Sequence, residues 1–181
     1  MRIEIQFAGF GGQGIIKSGI ITATAACIYG RKNAVQTQSY GPESRGGACK
    51  SEVVISDEEI DFPKVVEPDI LLVMSQHAYN EYAEDMKRGG TIIMDLDMIP
   101  SEKELQNVKV YRVPATKIAE ELGRKIVANI VMLGALTAIT GMLDKNAMEE
   151  SIKANVPKGT EELNLKAFEK GYEFGKDLSA S

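Results

Sequence analysis

Two glycine-rich segments carry the residue types that can do chemistry. Residues 8–14 read AGFGGQG, and Gly9, Gly11 and Gly14 meet the G-x-G-x-x-G spacing between a strand-like run and a helix-like one. Glycine there permits a tight turn and close backbone approach, while free N–H groups at a helix start face an anion. Gly12 and Gln13 complete the loop. The Gln13 amide can donate to a ligand or close the turn on itself. A dinucleotide site also needs Asp or Glu at the end of the second strand, and residues 34–40 (AVQTQSY) offer neither. Nor is this a Walker A loop, because Lys17-Ser18 arrive two positions late. The same glycines equally suit a plain strand-to-helix turn. Lys17 in the first turn opposes the helix dipole, which fits either a nearby anion or a solvated lysine.

The second segment is residues 40–47, YGPESRGG. Gly41-Pro42 fixes a turn, Gly46-Gly47 let the backbone approach something closely, and Glu43 and Arg45 project charge. Ser44 and Arg45 supply a hydroxyl and a planar donor fork suited to phosphate or carboxylate. Read blandly, the segment is a polar surface loop with a weak exposed Glu43–Arg45 pair.

Elsewhere the inventory is thin. His77, the sole histidine, follows an apolar run at the end of a strand, where α/β sites gather, but a helix start also accounts for it. Asp95 and Asp97 follow another strand and fit turn and capping duty better than Mg²⁺ binding. Asn129 stands in an uncharged helix, as a hydrogen-bond partner for backbone or for a neighbouring loop. Phe168, Tyr172 and Phe174 read as core or interface. Cys27 and Cys49 form no CxxC pair, which argues against a zinc or iron–sulfur site in the chain, and no metal site is expected. Free thiols and the lack of an export signal point to the cytoplasm.

The elements that must position these residues follow from periodicity. Strands are predicted at residues 2–8, 33–38, 48–56, 70–74, 91–95 and 108–113. Helices are predicted at 13–29 and 78–87, with a short one from the Ser101/Glu104 capping-box spacing. From Pro114 the chain reads as helical to its end. Residues 126–143 hold no charge, but their polar residues, glycines and close charged flanks favour a buried helix over a membrane span. The fold class is therefore α/β: a three-layer, mostly parallel sheet with helices on both faces and a helical C-terminal part. Residues 1–177 form one domain on this reading, with 178–181 as a flexible tail.

Composition agrees. The 181 residues are 44% hydrophobic and 26% charged, with net charge -5, which suits one folded domain and makes a poor default binder of nucleic acid or anionic membrane. Residues 1–50, however, carry six bases against two acids and nine of the 17 glycines, so positive charge and glycine coincide.

FAGFGGQG, SYGPESRGG, the segment ANIVMLGAL (residues 128–136) and NLKAFEKGYEFG (residues 164–175) together resemble the gamma subunit of 2-oxoacid:ferredoxin oxidoreductases, nearest the 2-oxoglutarate branch, along essentially the whole chain. That resemblance implies part of an enzyme. A 2-oxoacid is decarboxylated on thiamine diphosphate, electrons pass through iron–sulfur clusters to ferredoxin, and the acyl group goes to coenzyme A. Thiamine diphosphate, Mg²⁺ and the clusters are implied to lie in partner subunits, alpha and beta, with a ferredoxin-like delta subunit as a further candidate. Coenzyme A is implied at or near this subunit, with none of these groups attached covalently. Gly9, Gly11, Gly12, Gln13 and Gly14, with Ser44, Arg45 and Gly46, are then the expected cofactor-facing residues, and no catalytic residue is assigned. The alternatives are a free-standing nucleotide-binding regulatory module and a pure scaffold. The missing ribose-binding acid counts against the first and the specificity of YGPESRGG against the second.

Overall fold

In the computed structural model, which describes residues 1–39 and 48–181, six strands form one sheet. They are β1 (Arg2–Gly9), β2 (Asn33–Ser39), β3 (Cys49–Ser56), β4 (Ile70–Val73), β5 (Thr91–Asp95) and β6 (Lys109–Val113), in the order β2-β3-β1-β4-β5-β6. The ladders β1–β4, β4–β5 and β5–β6 are parallel. Strand β3 runs against both neighbours, pairing Arg2 with Ser56 through to Gly9 with Cys49 on one side and Asn33 with Ser56 on the other. The sheet is thus mostly parallel in strand direction, with one reversed strand, β3.

Six helices accompany it: α1 (Ile15–Thr24), α2 (Gln76–Tyr82), α3 (Ala115–Glu121), α4 (Ala128–Thr140), α5 (Lys145–Asn155) and α6 (Glu161–Ser179). The period-two pattern of β1 explains the layering. Ile5 and Phe7 face the larger core, built with α1 and the four C-terminal helices, while Ala8 faces a smaller core under α2. Strand β4 (ILLV) is buried on both faces, as a central parallel strand should be.

The uncharged stretch is α4. Every residue from Ala128 to Thr137 is buried, so this helix needs no polar face. No helix among the described residues is long and apolar enough to cross a membrane. Helix α6 lies along α4 at close range: a Cβ placed on Gly171 would stand 2.7 Å from the Val131 carbonyl carbon, and one on Gly175 2.8 Å from the Ala135 Cα. Phe168 is fully buried in this seam, its ring centroid 6.2 Å from that of Tyr172, and Tyr172 and Phe174 pack half-buried beside it.

Three expectations are corrected. The helix over residues 13–29 starts only at Ile15, because Gly14 takes a left-handed conformation as its N-cap, and beyond Thr24 it widens into a π-helical turn at Ala25–Tyr29. The helix over 78–87 starts earlier, capped by the Ser75 hydroxyl, which accepts from the Ala78 N–H, and ends at Tyr82 before a 3₁₀ turn at Ala83–Asp85. The capping-box helix at Ser101 does not form. Gln76 accepts the Ser101 N–H at 2.9 Å and donates to the Ser101 carbonyl at 2.8 Å, and the Tyr79 hydroxyl accepts the Lys103 N–H at 3.0 Å. Glu102 meanwhile accepts two bonds from Arg112, at 2.7 and 2.8 Å. The Ser101 N–H that a capping box would give to Glu104 is taken by Gln76, and the bonds of Glu102 and Lys103 tie the segment to residues outside it. Helix α6 runs to Ser179.

Candidate functional site

Strands β1, β4, β5 and β6 are parallel, and β2 shares their direction because both β1 and β2 oppose β3. Their carboxyl ends therefore gather on one edge of the sheet, where ligands bind in open α/β folds. The glycine loop leaves β1 there, Ser75 follows β4, and Asp95 ends β5. Ser39 and Lys50, partners across the β2–β3 hairpin, end on this edge too. Ser44, Arg45 and Gly46 lie outside the described residues.

The loop itself is held by Gln13. Its Oε1 accepts the Phe10 N–H at 2.9 Å, and its Nε2 donates to the Met74 carbonyl at 2.7 Å, tying the loop to the end of β4. Gly9 makes room for this amide, since a Cβ there would collide with Gln13 and Ile15. Gly12 (φ 92°) and Gly14 (φ 75°) occupy the left-handed region, and Gly11 looks onto open space. A side chain at Gly14 would also run into Asn129, whose Nδ2 donates to the Gly14 carbonyl at 3.2 Å. Asn129 thus bonds backbone, one of the two roles expected for it.

Two helix N-termini converge here. Helix α1 opens at Ile15 with neither a side-chain cap nor an acid in its first turn, whereas α4 continues from a 3₁₀ turn at Lys125–Val127, where the Lys125 carbonyl accepts the Ala128 N–H. The orphan N–H groups of α1 leave a positive end there. Lys17, Arg124 and Lys125 add cationic side chains. Lys17 donates to the Asn155 carbonyl at 3.0 Å, while among the described residues Arg124 and Lys125 form no ion pair. Two cavities adjoin at Gly12 and Ile126. One of about 330 Å³ lies between Phe10, Gln13, Met74 and Thr116, and the other, of about 250 Å³, runs from Gly14 to the start of α6. Phe10 and Ile126 leave 44% and 64% of their surfaces exposed at this edge, an apolar rim on a cationic site.

The remaining candidates resolve into structural duties. His77 sits in the first turn of α2 with its Nε2 3.4 Å from Glu81 one turn on, so it is a helix-start residue. Asp95 is fully buried and caps α3, whose N-cap, Pro114, has no side-chain acceptor. It accepts the Thr116 hydroxyl at 2.6 Å, and Asp97 accepts the Lys117 N–H at 2.8 Å. Burial holds the Asp95 carboxyl above the usual carboxylate range, partly offset by the bonds it accepts from the Thr116 hydroxyl and from the Asp97 and Thr116 N–H groups. Burial likewise pushes the Cys49 thiol up. Sequence reasoning missed Arg124, Asn155 and Asn164. Only the folding of α4 and α6 onto the sheet edge brings them to the glycine loop, and no local pattern signals that.

The model of the pyruvate ferredoxin/flavodoxin oxidoreductase family matches residues 4–174. The chain is 58% identical over 180 residues to the 2-oxoglutarate synthase subunit KorC of Methanocaldococcus jannaschii, covering 98% of this chain and 96% of that one. Among solved structures it resembles the gamma subunit of a keto/oxoacid ferredoxin oxidoreductase from Geobacter sulfurreducens PCA, with TM-score 0.86, 44% identity, and coverage of 96% and 98%. It also resembles part of the 2-oxoglutarate:ferredoxin oxidoreductase of Magnetococcus marinus, solved with 2-oxoglutarate, coenzyme A and succinyl-CoA bound. There the TM-score is 0.85 and the identity 26%, over 99% of this chain and 32% of the longer one.

Proposed function

Because this chain belongs to the pyruvate ferredoxin/flavodoxin oxidoreductase family, we propose that it is the gamma-type subunit of a 2-oxoglutarate:ferredoxin oxidoreductase. Residues 1–177 act as one domain of that complex in the cytoplasm. The observation that carries the reading is the 58% identity, over nearly the full length of both chains, to a subunit named for 2-oxoglutarate synthase. The complex oxidatively decarboxylates its 2-oxoacid to the acyl-CoA and passes electrons to ferredoxin. Partner alpha and beta subunits, with a ferredoxin-like delta subunit where present, hold thiamine diphosphate, Mg²⁺ and the iron–sulfur clusters. The residues here fit that division: one histidine, two separated cysteines, and no group of His, Cys, Asp and Glu among the described residues able to hold a metal.

This chain's own part is to bind and position. Thiamine diphosphate, held by the partners, supplies the carbon–carbon bond cleavage. Gly9 and Gln13 fix the glycine loop, and Gly11, Gly12 and Gly14 present backbone N–H groups toward coenzyme A, with Ser44, Arg45 and Gly46 on the adjoining segment. The donor set suits such a ligand: the uncapped N-terminus of α1 and three cations for its phosphates, and an apolar rim at Phe10 and Ile126 for the neutral arm or a neighbouring subunit. The test is to reconstitute the complex and follow viologen reduction with 2-oxoglutarate, pyruvate and indolepyruvate, with and without coenzyme A. Preference for 2-oxoglutarate and dependence on coenzyme A support the reading; turnover of none of the three overturns it.

A further inference from the structure

The two edge strands of the sheet are built differently. Strand β6 carries Lys109 and Arg112, and Arg112 is held by Glu102 at 2.7 and 2.8 Å. Charge on an edge strand keeps it from pairing with another chain. Strand β2, at the opposite edge, has no charged residue, no proline and no bulge, and all seven of its residues stay in register with β3. The parity of the ladders fixes which of its groups face outward. The Asp57 N–H donates to the Met1 carbonyl at 3.1 Å, so the odd-numbered residues of β3 bond β1 and the even-numbered ones bond β2. Val35 and Thr37, paired with Val54 and Glu52, therefore bond β3, while Ala34 and Gln36 turn their N–H and C=O groups out. Those outward backbone groups of Ala34 and Gln36 have no partner among the described residues.

The flank around this edge is nearly free of charge. Residues 18–39 hold only Arg31 and Lys32, and Lys32 is neutralised by Asp57 at 2.6 Å. Helix α5 takes the side of α1 that carries Ile21, whose carbonyl accepts the Ser151 hydroxyl at 2.6 Å. Helical spacing puts Ile16, Ile20 and Ala23 on the other side, where they stay half-buried. Beyond them the π-helical turn leaves Ile28 66% and Tyr29 40% exposed, just before β2 begins. Neither cavity at the glycine-loop edge is lined by a residue of β2 or of this turn.

We propose that this flank joins two copies of the chain by antiparallel pairing of β2 with β2 about a two-fold axis at Val35, making one continuous sheet. In that register Ala34 exchanges both backbone bonds with the partner's Gln36, and Gln36 with the partner's Ala34, so the outward groups are satisfied. Val35 meets its own copy, a β-branched pair at the close, non-hydrogen-bonded position. Asn33 meets the partner's Thr37, and Arg31 comes beside the partner's Ser39, so donors meet acceptors and no like charges oppose. The two Arg31 residues lie about 26 Å apart along the ladder, well beyond the screening length of about 8–10 Å. A stable interface buries roughly 1,200 Å² or more in total, and Ile20, Ile28 and Tyr29 extend the strand contact with apolar surface. The contact stands independently of the gamma-subunit reading; in a complex built on this chain it joins two complexes.

The full chain is studied by sedimentation velocity and by amide hydrogen exchange, from low micromolar to submillimolar concentration. A shift from one chain mass toward two, with exchange at Ala34 and Gln36 slowing about tenfold or more while Val35 is protected throughout by β3, supports the pairing. A single-chain mass and fast exchange at Ala34 and Gln36 across the whole range overturn it. Val35→Lys and Val35→Glu each set like charges opposite one another at the axis. Each alone is expected to weaken the dimer about tenfold or more, and an equimolar mixture of the two to restore it, which also shows that both fold. A mixture no more dimeric than either variant overturns the two-fold register. In the assembled complex, a benzophenone side chain replaces Asn33. A cross-link to a second copy of this chain supports the proposal, and a cross-link to a different subunit overturns it and assigns the edge to that subunit.

Discussion

Replacing Gly171 by alanine sets two effects of opposite sign against each other. In an exposed helix the change would stabilise by up to about 1 kcal/mol, because glycine is a poor helix former. In α6 the new methyl would stand 2.7 Å from the Val131 carbonyl carbon and 3.0 Å from the Val131 Cα, and both atoms are α4 backbone that no rotamer change can move aside. Relief requires the helices to part by several tenths of an ångström or more along a seam that holds Phe168. Overpacking of this kind costs about 1–3 kcal/mol, and a backbone obstacle puts the cost at the upper end. The net expectation is a loss of about 2 kcal/mol, which for a chain of this length lowers the melting temperature by about 4–8 °C. Thermal unfolding followed by circular dichroism reads this directly. A Gly171→Ala protein that melts higher than the parent would refute the close α4–α6 approach, and with it the placement of Asn129 and Asn164 across one cavity.

Three further outcomes are expected. Asp95→Asn flattens the pH dependence of stability: the folded carboxyl titrates above its unfolded value of about 3.9, so its contribution is complete below that value and is lost as pH rises through the folded one. Melting temperatures measured from pH 4 upward that fall equally in parent and variant would contradict this. Gln13→Ala removes both bonds that tie the glycine loop to Phe10 and Met74, at a cost of about 1–2 kcal/mol in urea unfolding, and an unchanged midpoint would show that the loop is held otherwise. Tyr79→Phe leaves the Lys103 N–H without its acceptor, so amide exchange at Lys103 speeds up and stability falls by about 1 kcal/mol, whereas unaltered exchange would mean that the segment after Ser101 is pinned by other contacts.

The sequence carried the sheet well because the strands differ in pattern. The alternation of β1 and the all-apolar run of β4 both mark strands, and β4 is buried on both faces as its run implies. Strand β1 alternates yet is buried on both faces from Ile5 to Gly9, because the side that carries Ala8 is covered by the smaller core. The reversed strand β3 was not legible, since hairpin and crossover connections are told apart by what β3 pairs with, and that is a long-range matter. The Ser101 spacing misled for a similar reason: a capping box is a local preference worth about 1 kcal/mol, and Gln76, Tyr79 and Arg112 together outbid it. At the candidate site the glycines were visible as a motif, whereas the Gln13 bond to Met74 joins positions 61 apart and the Asn129 bond to Gly14 joins positions 115 apart. Asn164 entered only as a letter within a family-like segment. Its place beside the cavity depends on how α6 lies on α4.

The central claim is that this chain serves a redox enzyme whose reactive centres are housed by its neighbours. The most direct measurement is to recover the native protein from its own cells by an affinity tag on this chain, and to assay the eluate for thiamine diphosphate, iron and 2-oxoglutarate-dependent, coenzyme A-dependent reduction of ferredoxin. The account predicts that all three co-elute with the chain and that the activity is lost when the chain is stripped away. A chain that elutes alone, or one whose removal leaves the activity intact, would contradict it.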